Sequence, residues 1–385
     1  MDIPLSHERQ MVIDEVKRFV EREVIPVAHQ LEHDDIYPLD LIEKLKTLGV
    51  FSATVPEAYG GLGLDFLTYS QIIEQLARGW MSLAGIVNTH ILVAYMLQTY
   101  GTEEQRRTFL PVMGEGDKRG GICLSEANAG SDVQAITMTA TREEDNYILN
   151  GSKLWVTNGL HGSIFAVLAR TDTSAYPPFR GMSVFIVEKG TPGLSVSRTF
   201  EKLGYKGVET AELVFDHVRV PAARLLGGRE GEGFKHAMSG LEVGRINVAA
   251  RAVGVAQAAF DDAIRYAQQR QTFGKPIAQH QAIQIKLADM ATRIEAARLL
   301  LQHAARKKDG GERCDLEVGM AKLFATEMCQ EVTLEAMRIH GGYGYTKEFN
   351  VERYYRDAPF MLVAEGTSEI QKLVIARQLL EKYKL

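Results

Sequence analysis

Tyr147-Ile148-Leu149-Asn150-Gly151-Ser152-Lys153-Leu154-Trp155 is the stretch whose reading decides the fold. Asn-Gly between Tyr147-Ile148-Leu149 and Lys153-Leu154-Trp155 is a strong hairpin signal, because both residues tolerate the positive φ of a tight primed turn. A hairpin turning at Asn150-Gly151 is therefore expected. Short β-branched and aromatic runs follow at 163–168, 182–187 and 211–215. Pro177-Pro178, Gly190 with Pro192-Gly193, and Gly227-Gly228 punctuate them. No helical pattern alternates with these runs, so residues 119–228 read as a compact antiparallel β domain, a barrel or sandwich, and not as a Rossmann fold.

On both sides the period lengthens to that of helices. Residues 1–118 read as an all-α domain. Val12, Val16, Phe19 and Val20 share one helical face, as do Leu41, Leu45 and Leu48, with Gly49 as a C-terminal stop. Thr102-Glu103-Glu104-Gln105 has the form of a capping box. Residues 229–385 read as a four-helix bundle, with helices at about 233–269, 277–308, 315–340 and a last one opened by a capping box at Ser368-Glu369-Ile370-Gln371. The expectation is thus an α+β chain of three domains: helical, β, helical bundle.

Composition excludes several classes. The chain is 45% hydrophobic and 24% charged, with a formal charge of −5. A sequence-independent grip on nucleic acid needs a basic surface, so no nucleic-acid partner is expected. The densest basic run, 305–313, reads as a solvated helix end. Cys123, Cys314 and Cys329 show no pairing rhythm, and Cys123 reads as a small buried hydrophobe. The N-terminus shows no basic stretch leading into an apolar one, and no apolar run approaches the roughly 20 residues of a membrane span. A cytoplasmic location without membrane contact is expected. No Walker loop, strand-to-helix GxGxxG, HExxH or GxSxG occurs, and no metal site is expected. Gly341-Gly342-Tyr343-Gly344 follows a helix; by itself it reads as a terminator, or as backbone open to a phosphate-bearing cofactor.

Five stretches together carry more. They are residues 124–132 (LSEANAGSD), 153–159 (KLWVTNG), 270–277 (RQTFGKPI, with Gln281 after it), 339–344 (IHGGYG) and 365–371 (EGTSEIQ). In this order, over essentially the whole chain, they resemble the acyl-CoA dehydrogenases. The resemblance implies FAD held between the β domain and the bundle. It implies that Ile122, Leu124, Ser125 and Ser131 line the flavin, with Ser131 also near the acyl-CoA. Trp155 and Thr157 correspond to positions beside the isoalloxazine, where a hydroxyl donor at N5 suits arriving hydride. Arg270, Phe273, Gln281, Arg338, Gly341 and Gly342 correspond to the adenosine and pyrophosphate side, and Thr367 and Glu369 flank the flavin. Some of these contacts cross subunits in the family, so a homo-oligomer, a tetramer by preference, is implied. An electron-transfer flavoprotein is the implied acceptor.

The implied reaction removes the α-proton and the β-hydride of an acyl-CoA thioester, giving the trans-2-enoyl-CoA. Glu365 stands at the family's base position, and burial would raise its pKa toward the working pH. Some members carry the base just before the arginine that here is Arg245, but this chain has Gly244 there. Glu242, Arg245 and Gly366 are implied on the substrate side; taken alone, Glu242 and Arg245 read equally as a surface ion pair. The chain departs from the family pattern at Ala127-Asn128 in place of Pro-Gly, where Asn128 could supply a left-handed turn residue. Arg338 and Glu369 stand where Gln is common. Ala364 precedes the base where straight-chain members often carry Tyr, and the helix around 82–98 lacks Arg, so a neutral, branched or bulky acyl group is expected. Rival readings are an acyl-CoA oxidase, an enoyl-CoA reductase, or a nucleic-acid-associated member without dehydrogenase activity.

Overall fold

The computed structural model describes residues 6–384; residues 1–5, where the N-terminal reading begins, and Leu385 lie outside the described residues. The N-terminal part is helical: α1 (His7–Phe19), α2 (Ile25–His33), α3 (Leu39–Thr47), α4 (Phe66–Gly79), α5 (Met81–Tyr100) and α6 (Glu103–Gly114). A π-helical turn, Val20–Val24, joins α1 to α2. Gly49 takes φ 70° just beyond α3, as expected of a stop. Thr102 and Gln105 form the reciprocal capping box. Among the described residues no uninterrupted apolar run reaches membrane length, but α5 as a whole helix does. It has 20 residues and a mean hydropathy of 1.3, enough by length and composition to cross a membrane, yet 89% of it is buried inside the protein. Asn88, Thr89 and His90 interrupt the apolar run without shortening the helix.

The middle part is a curled mixed sheet. Its strands are β1 (Gly120–Cys123), β2 (Thr139–Glu143), β3 (Asn146–Thr157), β4 (Ile164–Arg170), β5 (Met182–Glu188), β6 (Leu194–Thr199) and β7 (Thr210–Pro221). They lie in the order β1-β4-β2-β3-β7-β6, with β5 also on β4. Two pairings, β1 with β4 and β2 with β4, are parallel, so the all-antiparallel expectation is corrected. The hairpin expectation is corrected too. The chain turns at Glu144-Asp145, with Glu144 at φ 53°, and β3 runs straight through Asn150-Gly151. There the register against β7 shifts. Gly151 sits at φ 145°, and a Cβ on it would lie 2.8 Å from the Met138 Cβ. Asn-Gly is used for a β-bulge in mid-strand and not for a turn.

The C-terminal part begins with α7 (Gly233–Gln269), 37 residues long. A small ribbon, β8 (Gln271–Thr272) with β9 (Lys275–Pro276), leads to α8 (Gln281–Asp309) and α9 (Asp315–His340). Then come α10 (Val351–Val363), which the sequence reading did not count, and α11 (Ser368–Lys382). Among the described residues the region therefore has five α-helices, not four. The cap of α11 is Thr367, not Ser368: its hydroxyl accepts from the Ile370 N–H. One apolar core joins the two helical parts: Ile72, Ile73 and Leu76 of α4 and Leu83, Ile86 and Val87 of α5 belong to the same cluster as Val248, Ala252 and Val255 of α7.

Candidate active site

Glu365 sits in the turn between α10 and α11, with φ 54°; Gly366 follows at φ 97°. Two left-handed residues in succession, one of them a glutamate, are strained backbone that the surroundings must enforce. They are held from three sides. Arg245 Nε donates to the Glu365 carbonyl at 3.3 Å. Lys322 Nζ donates to the carbonyls of Gly366 and Leu362 at 2.9 and 3.2 Å. Gln371 Nε2 donates to both carbonyls of the turn. Arg245 and Lys322 are buried, and burial pulls the Lys322 ammonium down to about 8.

The Glu365 side chain is 12% exposed. Asn88 Nδ2, from α5, donates to Oε1, and Arg251 Nη2, from α7, lies 4.0 Å from the same oxygen. Oε2 is buried without a partner. It fills the place of a side chain on α7: a Cβ on Gly244 would lie 1.7 Å from Oε2. The space a side chain at position 244 would take is thus occupied by Glu365. Burial pushes the Glu365 carboxyl above its ordinary range, against the pull of Arg251, Asn88, Arg245 and Lys322.

The loop after β1 is fastened from below. Lys153 of β3 is fully buried; its Nζ donates to the Leu124 carbonyl at 3.0 Å and to Glu126 Oε1 at 2.8 Å. Glu126 also accepts from the backbone and hydroxyl of Thr137 and from the Met138 N–H. Ile122 N–H donates to the Thr89 hydroxyl, and the Ser125 carbonyl accepts from Leu154 N–H. Ala127-Asn128 makes a tight turn closed by Glu126 and Ala129 bonding each other. Asn128 is not among the residues with positive φ, so the left-handed conformation expected of it is not used. Ser131 is exposed on this loop.

Trp155 lies at a second β3 bulge with φ 62°, which turns it out to 58% exposure, stacked 4.3 Å from Phe200. Thr157 ends β3, beside the buried Tyr205 phenol. These polar and aromatic groups on a bulged strand end leave one open aromatic face, as a planar ring system requires.

A second concavity of about 510 Å³ is lined by Tyr266, Arg270, Thr272, His340, Gly341 and Gly342, among others. Arg270 forms no ion pair among the described residues, and its guanidinium lies 5.8 Å from the Tyr343 ring. Nothing lies within 4 Å of a Cβ placed on Gly341 or Gly342. An uncommitted arginine beside bare glycine backbone fits a pyrophosphate. Phe273, at φ 51° on the ribbon tip, is 96% exposed, and Gln281 opens α8 on the surface. Arg338 is not in the lining; it pairs with Glu335 on the outside of α9. Thr367 and Glu369 stand at the first turn of α11, next to the Glu365 turn.

Glu242 and Arg245 do not pair. Glu242 accepts from Lys308 and from the Cys314 thiol, while Arg245 reaches the Glu365 carbonyl. This also corrects the basic run: Lys308 is 13% exposed and committed to Glu242, and Lys307 binds Glu317, so the helix end is ion-paired and not simply solvated. All three cysteines are buried and free.

Sequence reasoning gave no role to Asn88, Lys322, Arg251 or Tyr205. Arg251 in Val248-Ala249-Ala250-Arg251-Ala252-Val253 and Lys322 in Ala321-Lys322-Leu323-Phe324 are charges inside apolar helical runs. That was the available signal, since such residues are rarely buried without a task.

Family profiles match almost the whole chain: the N-terminal domain of acyl-CoA dehydrogenases over residues 6–117, the middle domain over 121–218 and the C-terminal domain over 231–380. An acyl-CoA dehydrogenase of Bacillus subtilis is 42% identical over 98% of this chain and 99% of its own. An acryloyl-CoA reductase (NADH) of Anaerotignum propionicum is 40% identical over 99% and 97%. Among solved structures, butyryl-CoA dehydrogenase from Megasphaera elsdenii superposes with a TM-score of 0.96 at 41% identity, over 99% of this chain and all of that one. A chain from work on the electron transferring flavoprotein of Acidaminococcus fermentans gives 0.96 at 40%, over 99% and 100%.

Proposed function

From the chain's membership of the acyl-CoA dehydrogenase family, which makes it an FAD-dependent oxidoreductase, we propose that it oxidises a neutral acyl-CoA to the trans-2-enoyl-CoA with Glu365 as the base. The observation that carries this reading is the free Oε2 of Glu365, buried and unpartnered beside Gly244. A desolvated carboxylate with one oxygen tied and one open is equipped to take an α-proton. Arg245, Lys322 and Gln371 hold the turn, so the carboxylate need not reorganise when it does so. FAD, when bound, supplies the hydride acceptor for the β-hydrogen. Ile122, Leu124, Ser125, Ser131, Trp155, Thr157, Thr367 and Glu369 are the residues proposed to hold its flavin end. Arg270, Phe273, Gln281, Gly341 and Gly342, with Arg338 farther out, would hold the adenosine end. Ser131, Glu242, Arg245 and Gly366 are proposed on the acyl-CoA side.

The acyl group is read as neutral because the arginine nearest the Glu365 carboxylate, Arg251, already faces it, and Arg245 is held by the Glu365 carbonyl. Ala364 before the base leaves room for branching. An electron-transfer flavoprotein as acceptor, a homo-oligomer and a cytoplasmic site complete the proposal. The test is anaerobic flavin bleaching by butyryl-, isobutyryl-, isovaleryl- and glutaryl-CoA. Neutral thioesters should bleach the yellow protein, and Glu365→Gln should keep FAD but bleach roughly 10²–10⁴-fold more slowly. Bleaching by glutaryl-CoA alone would refute the neutral acyl group. The 40% identical acryloyl-CoA reductase favours a second reading, the reverse direction. Rapid reoxidation of the reduced enzyme by enoyl-CoA, with no turnover to an electron-transfer flavoprotein, would establish it.

A further inference from the structure

Three cations surround Glu365, and two of them are spoken for by backbone. Arg245 is spent on the Glu365 carbonyl, and Lys322 on those of Leu362 and Gly366. Arg251 is different. It is 1% exposed, its Nε and Nη1 have no hydrogen-bond partner among the described residues, and the carboxylate within its reach is that of Glu365. Its Cζ lies 5.7 Å from the ring centres of both Tyr205 and Phe360, which stack on each other at 4.3 Å. Tyr205 is itself wedged against α5: a Cβ on Gly85 would lie 1.8 Å from its hydroxyl. The guanidinium is thus fixed against two locked rings, and its one ionic contact is the base.

We propose that Arg251 is a positioning residue for proton abstraction: with Asn88 it engages Oε1 of Glu365, keeps the carboxylate ionised, and leaves Oε2 as the oxygen that accepts the α-proton. The inference rests on the reading of Glu365 as the base. The groups facing Glu365 are Arg245 and Arg251 from α7, Lys322 from α9, Asn88 from α5, Tyr69 from α4 and Tyr205 from the loop between β6 and β7. The cations among them oppose the burial that disfavours the charged carboxylate. Arg251 is the one aimed at the carboxylate rather than at a carbonyl. Removing it should raise the pH at which the base ionises.

The experiment is the second-order rate of anaerobic flavin bleaching from about pH 5.5 to 9, which reports the free enzyme. The probe is whichever acyl-CoA of the panel bleaches the parent fastest. Each variant is expressed as a ratio to the parent, so the ionisation of the thioester cancels. Arg251→Gln should be at least about tenfold slower at the acid end, the equivalent of one pKa unit, and converge on the parent toward alkaline pH. Arg251→Lys, which keeps the charge, should stay within about threefold throughout. A flat ratio for Arg251→Gln overturns the proposal, as does loss of FAD from both variants, which would mark a scaffold role. Glu365→Gln is run alongside. If it bleaches at the parent rate, the base assignment itself has failed. If it is slow while the Arg251→Gln ratio is flat, only the role of Arg251 has failed.

Discussion

At the scale of single residues, the site turns on a missing side chain. Gly244 lies in the middle of α7, where alanine would ordinarily stabilise a helix by roughly 1 kcal/mol. Here a Cβ would stand 1.7 Å from Oε2 of Glu365, so the carboxylate would have to move. Gly244→Ala should therefore keep or raise thermal stability and retain FAD, while flavin bleaching falls by at least about tenfold; unchanged bleaching would mean that Glu365 does not work from this position. The pH sign follows from the same residue. Burial holds the Glu365 carboxyl above its ordinary range, and as the proposed base it would act only when ionised. Bleaching should rise with pH through a midpoint above the usual carboxylate value of about 4.3. In Glu365→Gln that rise should be absent.

At the scale of elements, the loop after β1 depends on the buried pair beneath it. Burial pushes Glu126 up, but Lys153 and the Thr137 donors more than offset this and hold it below the ordinary range. Its contribution to stability is present above about pH 4.3 and is lost as the pH falls through the lower, folded value. Lys153→Met would leave the carboxylate buried without its cation, a loss of roughly 3–5 kcal/mol. The variant should show faster hydrogen exchange over residues 124–132 and weaker FAD retention, with α7 and α9 unaffected. Equal protection of the loop in parent and variant would contradict this account. The stretch 124–132 was visible in the sequence as a motif; the lysine that fastens it, three residues after Asn150, was quoted there only as part of another motif.

At the scale of the molecule, a bare arginine and a bare aromatic mark the ribbon and cavity between α7 and α9. Arg270 lines the cavity without an ion pair among the described residues, and Phe273 is 96% exposed. An uncommitted arginine in an open cavity next to this ring fits the proposal that another subunit completes the surface. Arg270→Ala should lose FAD and weaken assembly together, read by flavin absorbance and light scattering on the same sample. A fully FAD-loaded monomer of the parent chain would end the proposal that subunits share the cofactor.

The sequence by itself determined the order of helical, β and helical parts, the limits of α7 and α9, the stop at Gly49 and the capping box at Thr102. Those features follow from local periodicity and from residues acting on their own neighbours. It also singled out Glu365, because five motifs in order reverse the ordinary reading of a glutamate near a helix start. What it could not decide was spatial. Asn-Gly serves a turn or a bulge equally well by its φ preferences, and only pairing with β7 made Gly151 a bulge. Two β pairings proved parallel because β4 lies between strands distant in sequence. Glu242 and Arg245, three residues apart, parted company because α8 offered Lys308 and the Glu365 turn offered a carbonyl. Asn88, Gly244, Arg251 and Lys322 converge on Glu365 and its turn from three helices, the first three at the carboxylate and Lys322 at the backbone, since α5, α7 and α9 all pack around the turn after α10. No local pattern encodes such a meeting; the shared core of the two helical parts does.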